Sequence, residues 1–171
     1  TMLNSGLIKE NNTTLIRGSG VDCSLFSPAP LPEKPIIMLP SRMLWDKGVG
    51  EFVKAAEKVH PFFPDARFVL VGAADDENPK AIKEKEIQEW VREKKYLEWW
   101  GANEHAEMPK ILTKASIVVL PSYHEGLPKV LLEAAACGKA IIASDIPGCR
   151  EIVQDGKNGL LVPARDVQNL A

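Results

Sequence analysis

Short runs of Val, Ile and Leu recur along the chain, each bounded by polar or turn-forming residues. Those at 14–17, 36–40, 67–71, 117–120, 140–143 and 159–162 are predicted strands. They are near-continuous, not alternating, which suits strands buried on both faces of a parallel sheet. A weaker strand is predicted at 96–100, where Tyr96, Trp99 and Trp100 favour a pleated surface. Helical periodicity fills the intervals. Residues 49–60 align Phe52, Val53, Ala56 and Val59 on one stripe, with Glu51, Lys54, Glu57 and Lys58 elsewhere. Residues 80–94 carry a narrower stripe of Ile87, Trp90 and Val91, and residues 106–115 group Met108, Ile111, Leu112 and Ala115. Residues 128–137 are apolar nearly all round and predict a mostly buried helix, with Pro128 at its first position and Gly138 just past its end. Gly148 and residues 150–153 predict one further turn.

Strands alternating with helices define the predicted fold class, an α/β protein with a doubly wound parallel, Rossmann-like sheet. Ligands of such sheets lie outside the carboxyl ends of the strands, at a topological switch point. The segments that fall there are Ser41-Arg42, Gly72-Ala73, residues 121–126 and residues 144–148. Residues 27–35, SPAPLPEKP, read as an extended connector. The expected organisation is a lead-in segment at 1–35, including the strand at 14–17, and a Rossmann-like domain at 36–171 that is truncated at its C-terminal helix. Both ends read as cut, with Asp166 placed to cap a last helical turn, so a domain taken from a longer protein is expected.

Composition narrows the function. A length of 171 residues suits one domain, and 45% hydrophobic with 26% charged residues is ordinary for a globular protein. A net charge of −2 with mixed signs argues against a nucleic-acid binder, which needs a basic face. Cys23, Cys137 and Cys149 form no C-x-x-C pair and read as free thiols of a reducing cytosol. No apolar run approaches the roughly 20 residues of a membrane helix, and the start lacks signal-peptide character.

The stretch EGLPKVLLE, residues 125–133, carries the sharpest chemistry. Were all of it helical, Glu125 and Glu133 would lie ~12 Å apart along the axis, too far to act on one bond. The spacing suits two contacts on an elongated ligand. Gly126 permits close backbone approach, and a helix starting near Pro128 offers free N–H groups and a positive dipole end to a pyrophosphate. Glu133, ~7.5 Å further along, is placed for two ribose hydroxyls, and Glu125 for a sugar beyond the β-phosphate. Two solvated glutamates are the competing reading; it fits Glu133 poorly, because that residue sits among Val130, Leu131, Leu132 and Ala134. In SRMLWDKG, residues 41–48, Arg42 and Lys47 emerge at the same sheet edge, where cations would stabilise a leaving diphosphate without a metal. Two ordinary surface cations fit as well.

Other features say less. RGSGVD at 17–22 lacks the third glycine of a dinucleotide loop and reads as a tight turn. His60 ends a helix and His105 stands in a polar loop. His124 adjoins Glu125 and fits either the sugar pocket or a solvated loop. No spacing supports a zinc site.

These residues together resemble the retaining, two-Rossmann-domain (GT-B) glycosyltransferases of group 1, also called family 4. GSGVD at 18–22, SRMLWDKG at 41–48, VLVG at 69–72, WWG at 99–101, residues 121–153 and DGKNGLLVP at 155–163 stand in family order. The resemblance implies a C-terminal, donor-binding domain. By matching positions, Glu133 would bind the ribose, Glu125 the donor sugar, and Arg42 and Lys47 the diphosphate. Backbone near Gly126, Leu127 and Pro128 would meet phosphate or sugar, with His124 beside them and the base near Gly101 and Ala102. It further implies a metal-independent enzyme without cofactor, using an NDP-sugar, most typically a UDP-hexose or UDP-N-acetylhexosamine. The acceptor, a glycan or lipid-linked saccharide of capsule, O-antigen or lipid-linked oligosaccharide assembly, would be held by an N-terminal domain. A cytoplasmic protein is implied, with peripheral membrane association of the full-length enzyme. A non-catalytic module would be expected to lose Arg42, Lys47, Glu125 or Glu133; all four are present. The context of EGLPKVLLE argues against an epimerase or a phosphorylase of the same architecture.

Overall fold

The computed structural model describes residues 5–7, 9–14, 20–75 and 77–171. The predicted strand at 14–17 and the start of the turn at 17–22 lie outside them, apart from Thr14, which is irregular. Six strands form one parallel sheet: β1 (Ile36–Pro40), β2 (Arg67–Val71), β3 (Leu97–Trp99), β4 (Ile117–Leu120), β5 (Ala140–Ser144) and β6 (Leu160–Val162). Their order is β3-β2-β1-β4-β5-β6, so the winding reverses between β1 and β4. The doubly wound, Rossmann-like α/β class is the one observed.

Each sheet face carries its own core. Leu39, Phe68, Leu70 and Val119 meet Phe52 and Val53 of α1 (Val49–Val59) and Ile87 of α2 (Glu84–Glu93). On the other face, Met38, Val118, Leu120 and Ile141 meet Ile111 and Leu112 of α3 (Met108–Leu112), Leu131 and Ala134 of α4 (Lys129–Ala136) and Cys149 of α5 (Pro147–Arg150). The near-continuous apolar runs follow from this double cover. Phe26, 3% exposed, joins the second core, so the lead-in segment packs on the domain and is more than a connector. Asp166 caps α6 (Val167–Leu170) through the amides of Gln168 and Asn169.

Several predicted boundaries shift. The helix predicted at 80–94 begins at Glu84, because Ala81 bridges Leu44 and the Ile82 amide donates to the Met43 carbonyl. The 106–115 segment divides into a 3-10 turn at His105–Glu107 and a short α3. Pro128 is not the first helical residue: its ψ of 99° is extended, and α4 starts at Lys129. Nor is that helix buried all round. It packs on one sheet face, burying Leu131, Glu133 and Ala134, while Lys129 and Ala135 are exposed.

Candidate functional site

Because β1 and β4 are neighbours, the loops that follow them meet at the switch point. Lys47, in a 3-10 turn at Trp45–Lys47, donates from Nζ to Glu125 Oε1 at 2.7 Å. The two side chains are 20% and 14% exposed, sheltered enough for the attraction to escape most solvent screening. Backbone fit holds the loops together. Gly48 has φ 72°, and a Cβ there would overlap the Pro121 carbonyl. On the other side, a Cβ on Gly148 would overlap the carbonyls of Glu125 and Gly126, so α5 abuts the Glu125 loop. The Tyr123 amide donates to the Asp46 carbonyl at 2.8 Å. Glu125 is thereby fixed from both sides at the crevice.

Glu133 is 6% exposed on α4, and its carboxylate takes no hydrogen bond from the described residues. Its nearest cationic partner is His105, with Nδ1 3.9 Å from Oε1, an ion pair only when the imidazole is protonated. Burial pushes its carboxyl above the ordinary glutamate value, against smaller downward pulls from His105 and Lys129. A carboxylate without a protein hydrogen-bond donor is chemically suited to take two vicinal hydroxyls.

Between the two glutamates stands the N-terminus of α4. No side chain caps it; the Leu131 amide donates to the Pro128 carbonyl at 3.0 Å, which leaves the Lys129 and Val130 amides without a helical acceptor. Lys129 occupies the first helical position, adding a cation where the dipole is already positive; an anion there would be favoured twice over. Nothing lies within 4 Å of where a Gly126 Cβ would be, so open space faces that backbone. Leu127 is half-buried, Pro128 buried and His124 exposed.

Arg42 is exposed directly after β1, its loop pinned to the β2 edge by Ser41 N–H to Val71 O and Met43 N–H to Ala73 O. Gly101 and Ala102 follow β3. The Gly101 carbonyl accepts from the Gly72 amide at 2.8 Å and from Asn103 Nδ2 at 3.1 Å. Beside this loop is a hollow of about 170 Å³ lined by Pro40, Ser41, Val71, Gly72, Asn103 and Met108. A hollow of about 520 Å³ lies at the opposite edge, around Lys139 and Lys157, and shares no residue with this region.

Sequence reasoning singled out Arg42, Lys47, Gly101, Ala102, His124, Glu125 and Glu133, and all stand at the carboxyl edge or on α4. Of these, the fold brings Lys47 and Glu125 into direct contact. It overlooked Lys129, although that residue stands inside EGLPKVLLE, and it overlooked Tyr123 and Asp46. Among the described residues no group of three or more His, Cys, Asp or Glu side chains forms a metal site. Nor is any described helix long and apolar enough to cross a membrane.

A Rossmann-like domain with a charged crevice at its switch point is the class these features define. Over residues 34–171 the chain matches the family Glycosyl transferases group 1, and it belongs to that family. It is 34% identical, over 99% of its length, to N,N'-diacetylbacillosaminyl-diphospho-undecaprenol alpha-1,3-N-acetylgalactosaminyltransferase of Campylobacter jejuni, and spans 46% of that protein. A crystal structure of the C-terminal domain of the group 1 protein LpcC from Francisella tularensis superposes with a TM-score of 0.76. Its identity is 30%, covering 89% of this chain and 84% of that one. The UDP complex of Anabaena Alr3699/HepE shares the fold at a TM-score of 0.76 with 23% identity, over 88% of this chain and 44% of that one.

Proposed function

We propose that this chain is the donor-binding domain of a retaining hexosyltransferase, which moves a hexose or N-acetylhexosamine from a UDP-sugar to a glycan or lipid-linked acceptor in surface polysaccharide assembly. One observation carries the reading: a Lys47–Glu125 pair and a Glu133 whose largely buried carboxylate has no protein hydrogen-bond donor flank the uncapped N-terminus of one helix at the switch point. The arrangement fits a UDP-sugar laid along α4. Glu133 takes the ribose hydroxyls. Helix amides, Lys129, Lys47 and Arg42 take the diphosphate. Glu125 takes hydroxyls of the sugar.

In the transfer step the bond between the sugar's anomeric carbon and the β-phosphate oxygen breaks and its electron pair leaves with the nucleoside diphosphate, while the acceptor hydroxyl oxygen bonds to that carbon from the same face and passes its proton to the departing phosphate. Arg42 and Lys47 neutralise that growing charge, the role a divalent metal would otherwise serve. Lys47 then exchanges one anion, Glu125, for another, the phosphate. Gly101 and Ala102, beside the 170 Å³ hollow, meet the base. The Campylobacter relative's lipid-diphosphate acceptor and its greater length support an acceptor site in a further domain.

Titration of the 171-residue chain with UDP, followed by amide NMR, tests the reading. Shifts are expected at residues 42, 47, 101, 102 and 125–133, and Glu133→Ala should weaken binding about a hundredfold, the value of two hydrogen bonds to a carboxylate. Silence of those amides at millimolar UDP would remove the donor-site assignment.

A further inference from the structure

The Lys47–Glu125 pair is braced from behind by a cluster that the transfer chemistry does not use. Tyr123 precedes Glu125 by two residues, and Asp46 immediately precedes Lys47. The Tyr123 amide donates to the Asp46 carbonyl at 2.8 Å. Its phenol donates to Glu51 Oε1 of α1 at 2.6 Å. Over its ring stands the Arg165 guanidinium, 4.3 Å from the centroid. Three segments distant in sequence therefore converge on one side chain.

Two details show that this is more than filling. Asp46 Oδ1 and Glu51 Oε2 are buried without a hydrogen-bond partner among the described residues, so the phenol supplies the one hydrogen bond that the Glu51 carboxylate has there. Among the described residues Arg165 is the non-glycine residue with positive φ, 63°, a conformation that costs energy and persists where surroundings enforce it. Stacking on Tyr123 is the enforcing contact the structure provides. Burial first, then Glu51, pushes the Tyr123 phenol up to about 12, so it stays a protonated donor at any working pH.

We propose that Tyr123 is a positioning residue of the donor site: bridging Asp46 and Glu51, it sets the Lys47 ammonium against Glu125 and so against the diphosphate. The proposal rests on the donor-site reading above. Its signature is selectivity. Lys47 serves the terminal phosphate, so misplacing it weakens UDP more than UMP, whereas a general loss of structure weakens both alike.

Calorimetric titration of the 171-residue chain with UDP and with UMP provides the test. Tyr123→Phe should lower UDP affinity about tenfold and UMP affinity by less than about twofold, as loss of one hydrogen bond to a charged group implies. Glu51→Leu should do the same, while Glu51→Gln, which keeps an acceptor for the phenol, should restore the parent's UDP-to-UMP ratio. A folded Tyr123→Phe chain with an unchanged ratio, or with equal losses for both ligands, overturns the proposal. Should that variant not fold, the Glu51→Leu and Glu51→Gln pair decides it: identical ratios overturn it, divergent ratios support it. Absence of binding by the parent to either nucleotide overturns the donor-site reading itself, an outcome distinct from a parent that binds and variants that match it.

Discussion

Glu133 carries a largely buried carboxylate to which no described residue donates a hydrogen bond. Ionising it at 6% exposure costs solvation that His105, 3.9 Å away, returns only in part. The sign of the consequence follows from its raised carboxyl value. Above the ordinary glutamate value of 4.5 the unfolded chain has released this proton while the folded chain still holds it. The folded state binds more protons, so the contribution of Glu133 to stability falls as pH rises through that window and then levels off. Glu133→Gln removes the titration. The variant should match the parent near pH 4 and exceed it in stability at pH 7.5, while its UDP affinity drops. Urea denaturation across that range checks this; a parent-to-variant difference independent of pH would contradict it. At this scale the sequence was partly legible. Glu133 announced itself because its neighbours Val130, Leu131, Leu132 and Ala134 already mark a buried face. Lys47 and Glu125 each suggested a ligand, yet their pairing was hidden, because their separation of 78 in sequence closes only once β1 and β4 lie side by side.

Elements were easier to find than their ends. The five predicted strands from 36–40 to 159–162 are observed within one residue, and that at 96–100 shortens to Leu97–Trp99, because composition alone reports burial on both faces. Ends are set by tertiary contacts: α2 starts four residues late because Ala81 and Ile82 are held by Leu44 and Met43. The Pro128 backbone likewise turns into α4 before the helix begins. Gly148 suggested only a turn, whereas the structure gives it the contact between α5 and the Glu125 loop. A methyl there would meet two backbone carbonyls, which cannot step aside as a flexible side chain can. Gly148→Ala should therefore cost about 1–3 kcal/mol of stability, read as a lower urea midpoint, and weaken UDP binding through displacement of Glu125. A midpoint within error of the parent would show that α5 moves freely.

All six strands run parallel, so the molecule has two chemically distinct edges. The carboxyl edge holds the loops after β1, β3 and β4, with Arg42, Lys47, Gly101 and Glu125, and α4 starts there. The amino edge holds other polar features: Lys139 donates to the Thr113 carbonyl, Arg67 pairs with Glu98, and the 520 Å³ hollow lies around Lys157. Polar content alone does not distinguish them. Topology does, because winding reverses between β1 and β4 and leaves a crevice only where their carboxyl ends diverge. Ligand binding should then protect one edge alone. In hydrogen exchange with saturating UDP, amides at 41–48, 101–103 and 123–133 should slow. Those at 62–66, 113–116, 138–140 and 156–159 should exchange as in the free chain. Binding adds RT ln(1 + [L]/Kd) to global stability, so core-strand amides that exchange through complete unfolding slow everywhere by a common factor; the edge-specific signal is therefore read from amides that exchange by local opening. Protection centred on the Lys139–Lys157 hollow would move the nucleotide to the amino edge and refute the topological argument. Protection confined to the three carboxyl-edge segments is the outcome that this sheet order, this helix terminus and these charges jointly require.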